Sequence, residues 1–195
     1  FAVLPEYVVK DVASWAAFVL RWGRADLLAG AASEGLGVAT LVECATALLR
    51  RRDLVRSPTV HAKLAELVQV MLASAWRQQH AAGGGLGGGS GSAAHDALVA
   101  SVLGNPTVRM SLCPALVSAY TVMDAVEGID VDRDDFDKFH TRDEIASLMM
   151  ELWKLPEAAA SIAELGARDG GAFAAFAGAA LGALMYLLED SLDRL

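Results

Sequence analysis

Cysteine, positive charge and paired histidines are all scarce in this chain, and each scarcity removes a class of function. Two cysteines stand among 195 residues. Cys44 and Cys113 each sit in an apolar helical pattern with no second ligand or resolving thiol nearby, so they read as buried free thiols. Neither a disulfide framework nor a zinc site is indicated. Sixteen Lys and Arg face 24 Asp and Glu, a net charge of -8. That excess argues against holding a polyanion by general electrostatics, and nucleic acid is not expected as a partner. His61, His80, His95 and His140 never fall at the i, i+4 spacing of a helical metal site. No Ser or Cys is paired by sequence with an identifiable base. No basic segment followed by an apolar one opens the chain, so there is no sign of secretion.

Two decoys are set aside on their residues. Asp130, Asp132 and Asp134 mimic the first half of a calcium-binding EF-hand loop. Asp135 then occupies the position where a Gly must turn, and Thr141 the position of the bidentate Glu, so a solvated acidic loop is expected. Residues 170–188 carry no charge and approach the length of a membrane span. They are rich in Gly and Ala, and a stripe of Leu181, Leu184, Leu188, Leu192 and Leu195 continues past Glu189 and Asp190. The stripe favours a soluble helix packed on its neighbours, with small residues permitting close backbone approach. No membrane is expected as a partner.

What the chain has in abundance is helix-period hydrophobicity, 54% of residues being apolar, in a length that can bury a sizeable core. From Pro5, the run Val8, Val12, Trp15, Val19 and Trp22 repeats every three or four residues up to Gly23. A second helix is expected over residues 33–50. Its Arg50-Arg51-Arg52 end reads as a solvated terminus favoured by the helix dipole. Ser57 as N-cap and Pro58 as first residue open a third helix, with Val60, Leu64, Leu67, Met71 and Ala75 on its face, running to about His80. Residues 81–94 are a Gly and Ser run with no Lys-Ser or Lys-Thr pair after it, hence not a phosphate loop. It reads as a flexible insertion, or an engineered replacement for a longer loop.

A short helix over residues 94–103 precedes Asn105-Pro106, and a longer one follows with Leu112, Leu116, Tyr120, Met123 and Val126 on one side, ending at Gly128. Thr141 and Glu144 form a capping box. The helix it opens shows Ile145, Leu148, Met149, Leu152 and Trp153 on one face and stops before Pro156. On that face Trp153 is expected to anchor the helix against the last one near Phe173 and Phe176. An Ala-rich helix over residues 156–168 and a terminal helix from Gly170 complete the chain. The class is all-α. Residues 1–80 form a first helical part, 81–94 the insertion and 95–195 a second helical part of the same unit.

Four segments, in order along the chain, carry a family resemblance. They are Leu4-Pro5-Glu6-Tyr7; Ser57-Pro58-Thr59-Val60-His61-Ala62-Lys63-Leu64-Ala65-Glu66-Leu67; Phe136-Asp137-Lys138-Phe139 with Arg142, Ile145, Leu152 and Trp153; and Phe173, Phe176, Leu187, Leu188, Ser191 and Leu192. Together they resemble the core region of the U-box ubiquitin-chain elongation factors. His140, Thr141 and Asp143 depart from the family pattern, and Gly182-Ala183 replaces its Asn-Asp pair.

The resemblance implies stacked antiparallel helices in an armadillo- or HEAT-like array. It implies a ubiquitin-protein transferase whose U-box recruits the charged conjugating enzyme and follows this segment. Ubiquitinated substrates and a hexameric AAA unfoldase are the implied partners, proteasomal degradation the outcome, and cytoplasm and nucleus the location. The start at Phe1 and the match to the later part of the core lead us to expect a fragment of a larger protein. Such a fragment by itself is expected to be inactive. No catalytic, cofactor-binding or metal residue and no cofactor is assigned. The alternative is a helical-repeat interaction module unrelated to ubiquitin.

Overall fold

The computed structural model describes residues 5–22, 38–81, 104–125 and 138–194. Among them are seven helices and no strand: α1 (Glu6–Trp22), α2 (Val38–Arg50), α3 (Pro58–Ala81), α4 (Pro106–Asp124), α5 (Lys138–Leu152), α6 (Pro156–Arg168) and α7 (Gly170–Asp193). The fold is all-α. The acidic loop around Asp130, the expected short helix over residues 94–103 and all of the Gly/Ser run but Ala81 lie outside the described residues.

Packing alternates along the chain. α1, α3 and α5 touch in one layer and α2, α4 and α6 in the other, with α3 on α4 joining the layers and α7 laid on α4 and α6. Each helix therefore meets near neighbours in sequence, the arrangement of a helical solenoid. The largest wholly buried side chains come from the middle of this stack: Leu67, Met71 and Leu72 of α3, and Leu112, Leu116 and Met123 of α4.

Three helices start as proline dictates, with Pro58, Pro106 and Pro156 as the first helical residues, where a missing N–H costs nothing. Asn105 caps α4 by accepting from the Thr107 amide at 2.9 Å. Asp169 both ends α6, its amide donating to the Leu165 carbonyl at 2.8 Å, and starts α7, its carboxylate accepting from the Ala172 amide at 2.9 Å. α4 also tolerates Pro114 in its interior. The hydrogen bond lost there is offset by burial of Leu112, Cys113, Ala115, Leu116 and Val117 around it.

Several expectations are corrected. α1 buries Ala13, Ala16 and Ala17, whereas Val12 and Trp15 of the expected face are exposed. The small residues form the contact because they let α1 approach α3 closely. α5 begins at Lys138, so Thr141 lies buried inside the helix, and Glu144 reaches His140 at 3.3 Å rather than closing a capping box. Ser57 does hold the N-cap position before Pro58, its carbonyl receiving the His61 amide, but its hydroxyl turns to that of Thr59 at 2.7 Å. Cys113 is buried as expected, but Cys44 is exposed. It borders an apolar groove of about 180 Å³ between α1, α2 and α3, with Val8, Val12, Leu41, Leu48 and Leu64.

The largest corrections concern the end of the chain. Leu181, Leu184, Leu188 and Leu192 are each more than half exposed, so the stripe of α7 packs on no neighbour along that stretch. A Cβ on Gly178 or Gly182 would meet nothing within 4 Å, hence these glycines serve no close helix contact. By length and apolarity α7 could cross a membrane. Trp153 stands one residue past the end of α5 and is 58% exposed; the turn rotates it off the buried face that Leu148 and Leu152 occupy.

Candidate functional site

Arg142 is the hub of the second half of the molecule. The residue is only 5% exposed. Nη1 donates to Asp124 Oδ1 at 2.9 Å, and Nη2 donates to the Tyr120 hydroxyl at 3.0 Å and to the Ala179 carbonyl at 2.6 Å. One side chain of α5 thus holds α4 and α7 together. The planar fork suits this task, since it satisfies several acceptors while stacking on an aromatic face. The guanidinium carbon lies 4.5 Å from the centre of the Tyr120 ring, which meets Phe176 edge-on at 5.2 Å. Lys138, one turn earlier, donates to the Asp124 carbonyl at 3.4 Å. Two cations therefore converge on the C-terminal end of α4, where the helix dipole favours them.

A second joint links α1 to the turn before α3. The Glu6 carboxylate accepts from the amides of Arg56 at 3.1 Å and Ser57 at 2.8 Å. Beneath it His61 is wholly buried, with Nδ1 3.1 Å from the Ser57 carbonyl. That contact makes Nδ1 the donor and leaves Nε2 without a partner. Burial lowers the pKa of His61, more than the Ser57 carbonyl raises it.

The third joint is ionic. Glu66 of α3 accepts from Arg21 of α1 at 3.2 Å and from Lys63, three residues earlier on the same helix, at 3.0 Å. Glu144 of α5 lies close by, its pKa raised first by burial and also by the Glu66 charge, against the pull of His140, Arg21 and Gln69.

None of these groups is arranged for bond-making. Burial pushes the Cys113 thiol up to about 11, which keeps it protonated and unreactive. Among the described residues no three His, Cys, Asp or Glu side chains gather as a metal site. What the geometry does supply is stiffness, with three polar joints set around an apolar stack, and an uncovered apolar face. Tyr186 of α7 stacks on Phe139 of α5 at 5.3 Å, and Leu184, Met185, Leu187 and Leu188 stand exposed around it.

A family model described as the ubiquitin elongating factor core matches residues 1–195. The chain belongs to that family. No curated protein and no solved structure matches it. Within the ubiquitin elongating factor core frame, the sequence motifs fall at the joints: Glu6 in the first, Lys63 and Glu66 in the third, Lys138 and Arg142 at the hub, and Phe176 against Tyr120. Asp137 lies outside the described residues. The sequence marks Lys138 and Arg142 as positions shared with the family but does not show their partners, Asp124, Tyr120 and the carbonyl of Ala179. A lone Arg on the apolar face of a helix was the available signal, since a charge there must find acceptors.

Proposed function

We propose that the chain is the scaffold segment of a U-box ubiquitin ligase that lengthens ubiquitin chains on substrates bound for proteasomal degradation. The family match over the whole chain carries this reading. In it the U-box recruits the charged conjugating enzyme and that enzyme performs the thioester chemistry. The helical stack fixes the distance and orientation between U-box and ubiquitinated substrate, so that the next transfer becomes effectively intramolecular. The joints at Glu6, Glu66 and Arg142 support a rigid role, because a spacer that bends loses effective concentration. The hexameric AAA unfoldase as partner, and cytoplasm and nucleus as location, belong to the same proposal.

The test is chain elongation on a pre-ubiquitinated substrate with activating and conjugating enzymes present. The 195-residue chain alone is expected to make no ubiquitin chains. The parent protein is expected to make them, and Arg142→Ala in that parent to slow elongation without weakening capture of the conjugating enzyme. Chain formation by the purified 195-residue chain would refute the scaffold role. A second reading, a helical module unrelated to ubiquitin, rests on Gly182, which stands in open space where the family carries a polar residue. Recovery from extract of partners that include no ubiquitin or unfoldase components would favour it.

A further inference from the structure

In the described residues, six arginines hold a carboxylate: Arg21 with Glu66, Arg51 with Asp53, Arg109 with Glu157, Arg142 with Asp124, Arg168 with Glu164 and Arg194 with Asp190. Arg50, Arg52 and Arg56 do not; Arg50 ends α2, and the other two lie in the turn that joins α2 to α3. In a chain with eight more acidic than basic residues, three acid-free arginines in seven positions are not a random leftover of charge.

Two of them are also held in place. Arg50 Nη1 donates to the Ser111 hydroxyl at 3.2 Å. Arg52 donates from Nε to the Ser118 hydroxyl at 3.0 Å, and from Nη2 to the Ser118 carbonyl at 3.0 Å and the Thr121 hydroxyl. These acceptors are neutral, so they orient the guanidiniums without cancelling their charge. This helix end is exposed to solvent, as its sequence suggested, and in addition hydrogen-bonds along α4.

The two arginines border a cleft of about 500 Å³ between the α2–α3 turn, α4 and the corner where α6 meets α7. Its other wall is apolar, from Pro114, Val117, Leu165, Ala172 and Ala175. Two carboxylates also border the cleft; Asp53 is neutralised by Arg51, whereas Asp169 is held as a helix cap and keeps its charge. Asp53 receives two bonds from Arg51, at 2.8 and 2.6 Å, and Asp169 caps the Ala172 amide.

We propose that this cleft binds an acidic peptide segment of a partner protein, with its carboxylates received by Arg50 and Arg52. The size fits a few residues of peptide. A guanidinium fork matches a carboxylate in shape as well as charge. A bilayer surface is disfavoured, because the arginines line a concavity that a plane cannot enter.

Fluorescence anisotropy of the 195-residue chain with a labelled hexaglutamate peptide at low salt tests this, with hexaglutamine as control. Hexaglutamate is expected to bind, hexaglutamine not to, and added salt to weaken the complex. The double variant Arg50→Gln, Arg52→Gln is expected to weaken binding at least about tenfold. Ala175→Glu, at an exposed helical position facing the cleft, is expected to do the same by repulsion while leaving the fold intact, and Arg168→Gln to change nothing. No hexaglutamate binding, or equal binding by the parent chain and Ala175→Glu, would overturn the proposal. So would capture of the chain by phosphatidylserine vesicles in the absence of peptide binding.

Discussion

The middle of α4 and the outer half of α7 are equally apolar to a reader of sequence and opposite in structure. Leu112, Leu116 and Met123 are sealed between α2, α3, α5, α6 and α7, whereas Leu181, Leu184, Leu188 and Leu192 face outward. The difference lies in neighbours and not in composition. α4 has helices on every side, while α7 rests on α4 and α6 through its first half, where Ala179 is its one buried residue. Hydrophobicity states that a helix can be covered, and only the packing states whether it is.

The largest effect that sharpens this contrast should come from Leu116→Ala, which leaves a cavity in a wholly buried site and is expected to cost about 2–5 kcal/mol in denaturant unfolding. Leu188→Ala, by the same measurement, is expected to change stability by less than about 0.5 kcal/mol. A comparable loss in both would break the comparison and show that α7 is covered in solution.

Next in size is Arg142→Ala, expected to cost about 2–3 kcal/mol. A buried pair broken from one side costs more than that, but Asp124 is 43% exposed and water takes over part of its hydrogen bonding. Loss of order should spread to α7 first, since the Ala179 carbonyl loses its donor; hydrogen exchange of α7 amides measures it.

A smaller effect is set by pH. The folded His61 has a pKa below its ordinary 6.5 because burial disfavours the imidazolium. The unfolded chain therefore takes up the proton first. This contribution to stability is complete above about pH 6.5 and is lost as pH falls below it. His61→Gln is expected to flatten the dependence of unfolding midpoint on pH between 7 and 5. An unchanged slope in that variant would place the titration elsewhere.

The smallest effect concerns Trp153. Its indole is mostly in solvent, so Trp153→Ala is expected to shift stability by less than about 0.5 kcal/mol. A loss as large as that of Leu116→Ala would contradict its exposure.

The prolines made the helix starts legible, because Pro58, Pro106 and Pro156 stand where proline is most at home, the first position of a helix, although Pro114 inside α4 shows that the signal is not exclusive. The face of α4 was legible as well: Leu112, Leu116, Tyr120 and Met123 form one stripe at helical spacing and all are buried. α1 was misread because two stripes compete on it. Periodicity ranks the larger Val and Trp set above Ala13, Ala16 and Ala17, yet close approach to α3 selects the smaller one. The start of α5 was misread for a tertiary reason. Thr141 and Glu144 match a local cap, but Lys138 and Arg142 bind the end of α4 and carry the helix three residues further back. Of the candidate surface, Trp153 was singled out with the wrong burial, and the α7 stripe with the wrong partner. Nothing local records which neighbours a helix meets.

The alternate stacking of α1 to α6 has a kinetic consequence. Every contact in the stack joins helices close together in the chain, so folding needs few expensive long loop closures and can spread layer by layer from α3 and α4. Nascent chain can then gain structure as it emerges, each new helix finding the one two places earlier already formed. Longer waits fall in the second layer, where Arg50 and Arg52 meet Ser111, Ser118 and Thr121, which lie 61 to 69 residues later, against about fifty for the Glu6 carboxylate and the Arg56 and Ser57 amides. Glu6 latches the first layer as soon as the start of α3 is made, and the docking of α2 on α4 is a step whose timing the synthesis rate would govern.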